Sequence, residues 1–108
     1  MDGFLAEFEQ MVLLAVVRLD EGAYGAAIRR EVGHQTGRTV SHGASFVTLD
    51  RLERKGFLTS TMGSSTSGRG GRPKRFFRIT PAGAAALKRT RAAFDRLWDG
   101  VDDMLETS

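Results

Sequence analysis

The sequence predicts a mostly α-helical chain with one small β-hairpin and a closing helix at the C-terminal end. Three observations lead there. Apolar residues recur at helical spacing through much of the 108-residue chain. The stretch from Ser41 to Lys55 is capped and amphipathic, and two short strand-like runs joined by a Gly/Ser-rich loop follow it at once. Thr80-Pro81 then places an N-cap residue before a proline at the first helical position.

The first helix is expected from about Phe4 to Leu19. Phe4, Phe8, Met11 and Ala15 form one apolar stripe; Leu5, Val12, Val16 and Leu19 form a second, with Leu13 and Val17 beside it. A helix apolar over most of its circumference is usually buried on two sides, so one side is assigned to the chain's own core and the other to a second subunit. Asp20-Glu21-Gly22 reads as a turn. Tyr24, Ile28 and Val32 mark a second helix ending near Gly37, and Val40 is placed in a small third strand.

Ser41 is a good N-cap and Gly56 suits the left-handed position after a helix, so the third helix spans about His42 to Lys55. Phe57 to Met62 and Arg72 to Ile79 read as antiparallel strands, with Pro73 at a strand start or edge. The last helix is expected to run to about Leu105. Leu87, Phe94 and Val101 are seven apart, as are Thr90, Leu97 and Met104, which makes a short heptad seam that Trp98 and Leu105 widen. Gly100 weakens that helix by about 1 kcal/mol relative to alanine.

A helix followed at once by a basic hairpin is the layout of a winged helix-turn-helix. Residues 1–80 are assigned to a winged-helix DNA-binding domain, whose first helix also lies at a dimer interface, and residues 81–108 to a C-terminal dimerisation helix.

The charge distribution agrees. Ala23 to Phe94 holds 14 Lys/Arg against 3 Asp/Glu, whereas the two ends hold 2 against 10. A basic middle between acidic ends suits a polyanion on one surface only. The absence of cysteine excludes disulfides, and no cofactor or metal spacing surrounds His34 and His42. Neither a nucleophile–base arrangement nor paired carboxylates in a cleft are visible, so the chain is not expected to be an enzyme. The acidic start lacks the basic region of a signal peptide, and the run from Met11 to Val17 is far too short to span a membrane. A cytoplasmic location is the default expectation.

Phasing the third helix at 100° per residue puts Leu49, Leu52, Ser45 and Thr48 on the buried side. Gly43, Val47, Asp50 and Arg54 fall opposite, with Phe46 and Arg51 on the flanks. N-terminal residues of a groove-inserted helix meet base edges. Phe46 and Val47 can pack on thymine methyls, and Asp50 can accept from a cytosine amino group or pair instead with Arg54. Ser41 and the free amides at the helix start can hold a phosphate. His42 can donate to a phosphate or base, or is simply exposed. Arg51, Arg54 and Lys55 are assigned to the DNA backbone. In the hairpin, Arg69, Arg72, Lys74 and Arg75 are the wing's DNA contacts, with Phe77 and Ile79 pointing inward and Phe76 sharing a face with Lys74 and Arg78. A merely soluble loop is the plainer reading of the tip.

With these residues in place, the chain resembles the PadR family of transcriptional regulators, of the short type. The resemblance rests on the apolar first helix, Tyr24-Gly25, GASFVTLDRLERKGFL from Gly43 to Leu58, and GGRPKRFFRITPAG from Gly70 to Gly83. It implies a homodimer that represses transcription at an inverted repeat in double-stranded DNA, dimerised through the first and last helices. It also implies a possible small planar aromatic effector. Ser45-Phe46 departs from the family's usual Leu-Tyr, so the operator does not carry over. Phe8, Met11, Ala15, Phe94 and Trp98 are the candidate lining of an apolar effector slot at the two-fold axis, the alternative being plain core. The competing functional readings are a winged-helix protein-interaction module and a ligand sensor without sequence-specific DNA binding.

Overall fold

The computed structural model describes residues 3–63 and 73–107. In chain order the elements are α1 (Glu7–Leu19), a 3-10 turn (Asp20–Gly22), α2 (Gly25–Thr36), α3 (His42–Arg54), β1 (Leu58–Met62), β2 (Arg75–Ile79), α4 (Pro81–Trp98) and α5 (Val101–Thr107). No described helix is long and apolar enough to cross a membrane.

α1 starts later than its apolar stripes suggest. The Leu5 amide donates to Thr90 Oγ1 at 3.1 Å, and the Leu5 carbonyl accepts from Gln10 Nε2 at 3.2 Å. Those bonds hold Leu5 against α4 in a non-helical segment, with its side chain buried. Helix begins at Glu7, after Ala6 in an extended conformation, and Glu9 reaches back to accept the Ala6 amide at 3.0 Å. Glu7 and Glu9 also favour the positive end of the helix dipole.

The core lies where α1, α2 and α3 meet the hairpin. Leu13, Ile28, Leu52, Leu58, Val12 and Val16 are its largest fully enclosed apolar side chains, and Phe77 closes it from β2. α2 ends on Gly37 at φ 74°, a conformation glycine adopts without steric cost.

β1 and β2 pair antiparallel with Leu58 opposite Ile79 and Met62 opposite Arg75. Val40 does not supply a third strand. That place is taken by the segment before α2: Tyr24 bridges to Phe76, and the Phe77 amide donates to the Ala23 carbonyl at 2.8 Å. Ala23 is completely buried, so its carbonyl needs this partner.

Thr80 joins hairpin to α4. Its hydroxyl accepts the Gly83 amide at 3.0 Å and donates to the Gly56 carbonyl at 2.7 Å. The expected single C-terminal helix is broken. Asp99 leaves helical geometry and Gly100 takes φ 77°, so the Phe94–Val101 and Leu97–Met104 heptad spacings do not continue along one axis. No residue of α5 is buried, so no packing within the chain offsets the glycine's preference.

Candidate nucleic-acid interface

α3 begins with the expected cap: Ser41 Oγ accepts the Ala44 amide at 3.0 Å. Its buried residues are Ser45, Thr48, Leu49 and Leu52. Ser45, the polar residue on the core side, is enclosed, and its hydroxyl donates to the His42 carbonyl at 3.4 Å. Gly43, Phe46, Val47, Arg51 and Arg54 are exposed, and Asp50 is half-buried. Phe46 and Val47 stand 55% and 50% open, unusual for apolar side chains on an otherwise polar helix face. An exposed apolar pair there suits a ligand surface that carries methyl groups.

Asp50 Oδ2 lies 3.0 Å from Arg54 Nη2, so within the protein it pairs with the arginine one turn on. His42 Nδ1 faces Arg29 Nη1 at 3.0 Å. Arginine only donates, so this contact makes Nδ1 the acceptor and leaves Nε2–H as the donor available to a ligand. It also ties the starts of α2 and α3 into one basic surface.

Besides Arg54, two more of the expected DNA-contacting cations have structural partners, both far away in the chain. Lys55 Nζ lies 2.8 Å from Glu9 Oε2, whose side chain is only 5% exposed. Burial raises the Glu9 pKa, but the hydrogen bonds from Lys55 and the Ala6 amide, with the charges of Lys55 and Arg51, overcome it and hold the carboxyl below its usual range. Arg75 Nη2 pairs with Glu53 Oε1, and Arg75 Nε donates to Ser60 Oγ at 3.0 Å while Ser60 Oγ donates to Glu53 Oε2 at 2.8 Å. That triangle locks both strands onto the last turn of α3, and fixes the wing's angle to the helix. Arg69 and Arg72, the other assigned wing contacts, lie outside the described residues.

A cluster centred on Tyr24 is absent from the expectations. Its hydroxyl accepts from Arg30 Nη2 at 3.1 Å, Lys74 Nζ sits 4.3 Å from its ring centroid, and Phe76 packs edge-on at 5.7 Å. The Arg30 hydrogen bond first, then the charges of Lys74 and Arg30, push the Tyr24 phenol below its ordinary range. No spacing in the sequence marks this cluster, because Tyr24 caps α2 from outside and lies six residues from Arg30, which is no helical spacing. It carries Lys74 and Arg30 on one side of the hairpin base.

The five residues assigned to an effector slot do not line one cavity within a protomer. Met11 and Ala15 border a groove against α2, Phe8 faces Arg38 to Val40, and Phe94 lines a groove between α1 and α4. Trp98 is half-exposed on the α4 end.

Comparison with known proteins bears on the fold and the family. The model of the PadR-like transcriptional regulator family matches residues 13–89. The chain is 38% identical over 78 residues to a transcriptional regulator of Mycobacterium tuberculosis, covering 72% of this chain and 68% of that one. A PadR family transcriptional regulator from Eggerthella lenta superposes with a TM-score of 0.71 at 29% identity, covering 94% of this chain and 88% of the other. A PadR-like regulator from Bacillus cereus has the same fold, with a TM-score of 0.73 at 19% identity over 91% and 90% of the two chains. Members of this family are transcriptional regulators rather than enzymes. With its helix, hairpin and C-terminal helix all in the corresponding order, the chain belongs to the PadR-like family of transcriptional regulators.

Proposed function

We propose that the chain is a cytoplasmic, homodimeric repressor that binds an inverted-repeat operator in double-stranded DNA. The observation that carries this reading is α3: capped, amphipathic, exposing Phe46 and Val47 beside Gly43, and flanked by Arg29, Arg51 and Arg54. Phe46, Val47 and Gly43 meet base edges in the major groove. Ser41 and His42 hold a phosphate at the helix start, and Arg51, Arg54 and the wing cations hold the backbone on either side. Asp50 exchanges Arg54 for a cytosine amino group where the operator offers one.

Residues 1–80 bind DNA in this reading, and residues 81–108 together with α1 form the dimer. Leu14, Val17, Phe94, Leu97 and Trp98 are each roughly half or more exposed in one protomer, an apolar surface that a second copy would cover. Dimerisation sets the two α3 helices about one DNA turn, ~34 Å, apart. A gel shift with the DNA upstream of its own gene tests the reading: a retarded dimer complex that outcompetes scrambled DNA supports it, and equal affinity for all sequences rejects it. A planar aromatic effector held near Trp98 and Phe94 is the finer part of the proposal, supported by the exposure of both rings. Quenching of the single tryptophan on titration with planar aromatics tests that part.

A further inference from the structure

Tyr24 stands just outside α2 in extended backbone and bridges to Phe76, so the main chain fixes its place at the base of the hairpin. Its ring is wedged as well. Phe76 packs against it edge-on, and the Phe76 ring in turn closes on Gly63, where a Cβ would come within 2.6 Å of it. Arg30 Nη2 donates to the phenol oxygen at 3.1 Å, and arginine accepts nothing, so the phenol proton points elsewhere. No group among the described residues takes it. Neither Arg30 nor Lys74 pairs with a carboxylate among the described residues. A phenol O–H, a guanidinium and an ammonium thus meet from α2 and the hairpin with only donors to offer. The cluster is continuous with the start of α3. Arg29 Nη1 lies 3.9 Å from where a Cβ of Gly25 would stand, next to Tyr24, and 3.0 Å from His42 Nδ1.

We propose that Tyr24, Arg30 and Lys74 bind one phosphodiester of the DNA backbone, a second phosphate site beside the one at Ser41 and His42. The inference rests on the DNA-binding reading above and adds Tyr24 and Arg30, which that reading does not use. A non-bridging phosphate oxygen accepts the Tyr24 proton, while Arg30 and Lys74 supply the opposite charge. The same two cations strengthen the donor: the Arg30 hydrogen bond first, then the charges of Lys74 and Arg30, push the phenol below its ordinary range. A phenolate would have no proton to give and would carry the phosphate's own sign. Binding through Tyr24 therefore needs the protonated phenol and weakens as pH rises through its lowered value. The charged groups around the phenol are Arg30 on α2 and Lys74 just ahead of β2, and Phe76 on β2 is apolar. A DNA strand suits the site better than a free anion, because the donors run on through Arg29 to His42, as a row of phosphates requires.

Tyr24→Phe keeps the ring that Phe76 and Lys74 rest on and removes only the O–H. With the DNA upstream of its own gene, fluorescence anisotropy should show binding weakened about tenfold per protomer, with the salt slope and Tm unchanged and unrelated DNA affected alike. Arg30→Gln should lose affinity and also lower the slope of log K against log salt by about 1 per protomer. Wild-type affinity should fall more steeply than that of Tyr24→Phe as pH is raised from about 7 to about 10. Neutral methylphosphonates placed singly along the DNA should reveal one position that weakens wild type but not the Tyr24→Phe/Arg30→Gln double variant. Full affinity and an identical pH profile in Tyr24→Phe overturn the site while leaving DNA binding intact. A loss of affinity matched by a lower Tm also overturns it, by making Tyr24 a support of the fold. An inorganic-phosphate NMR shift that Tyr24→Phe abolishes, with DNA affinity unchanged, assigns a free-anion site and overturns the DNA assignment. Wild-type protein that binds no DNA overturns the underlying reading and the site with it.

Discussion

Lys55 Nζ and Glu9 Oε2 lie 2.8 Å apart and join the end of α3 to the first turn of α1, 46 residues away in sequence. The carboxylate is nearly enclosed and the ammonium is 45% exposed, so the pair is anchored on the Glu9 side. Lys55→Ala would leave a buried carboxylate without its cation. The expected loss is about 1–2 kcal/mol, below the range for fully buried pairs because Lys55 is partly in water. Urea unfolding at neutral pH measures it; an unchanged midpoint would show the pair to be inert.

The same pair predicts a pH dependence. The Glu9 carboxyl is held below its ordinary value, so it binds its proton less readily folded than unfolded. Its contribution is therefore complete above the unfolded carboxylate pKa of about 4.3 and is lost as pH falls through the lower folded value. Wild type should exceed Glu9→Gln in stability by a constant margin near neutral pH, and the margin should shrink below about pH 4. A margin that grows on acidification has the wrong sign for this account.

The wing cations differ in what they do inside the protein, and so should their variants. Lys74 rests on the Tyr24 ring and touches no carboxylate in the described residues. Lys74→Ala is expected to weaken all DNA sequences alike and to lower the salt slope of log K by about 1 per protomer. If a dimer neutralises about eight phosphates, the wild-type slope is near −7. Arg75→Ala also breaks the triangle with Glu53 and Ser60, so its loss of affinity should come with a lower Tm. Fluorescence anisotropy across a salt series and thermal melts separate the two.

Phe46→Ala and Val47→Ala should act in the opposite way. Both side chains are exposed and neither belongs to the core, so stability should change little. Discrimination between operator and unrelated DNA should fall by about 1–3 kcal/mol, the usual cost of one mismatched base pair, with the salt slope unchanged. Competition binding with both DNAs reads this directly; equal loss on both would make these residues backbone contacts.

Gly83 sits where the first turn of α4 meets Phe57, in the segment between α3 and β1. A Cβ there would overlap the Phe57 carbonyl oxygen and crowd the Ile79 side chain. Backbone cannot yield as a side-chain end can, so Gly83→Ala should destabilise by about 1–3 kcal/mol, seen as a lower unfolding midpoint. The same change at Gly43, whose Cβ would meet nothing within 4 Å, is the matched control.

Local rules made much of this molecule legible in advance. Ser41 and Thr80 cap their helices because each accepts an amide three residues on. The face of α3 followed from Leu49 and Leu52, because a helix fixes side-chain direction from spacing alone. Hairpin alternation likewise put Phe77 inside and Arg78 outside. Tertiary structure decided what depends on residues far apart in the chain. Leu5 leaves α1 because Thr90 takes its amide, and Ala23-Tyr24 replaces Val40 beside β2 because a buried carbonyl required a donor. Lys55 and Arg75 find Glu9 and Glu53 only once the helices have packed. The sequence by itself determined which face of α3 is offered. Packing decided which distant acids hold Lys55 and Arg75, because those partners are chosen by distance in space, whereas Arg54 finds Asp50 one turn away along its own helix.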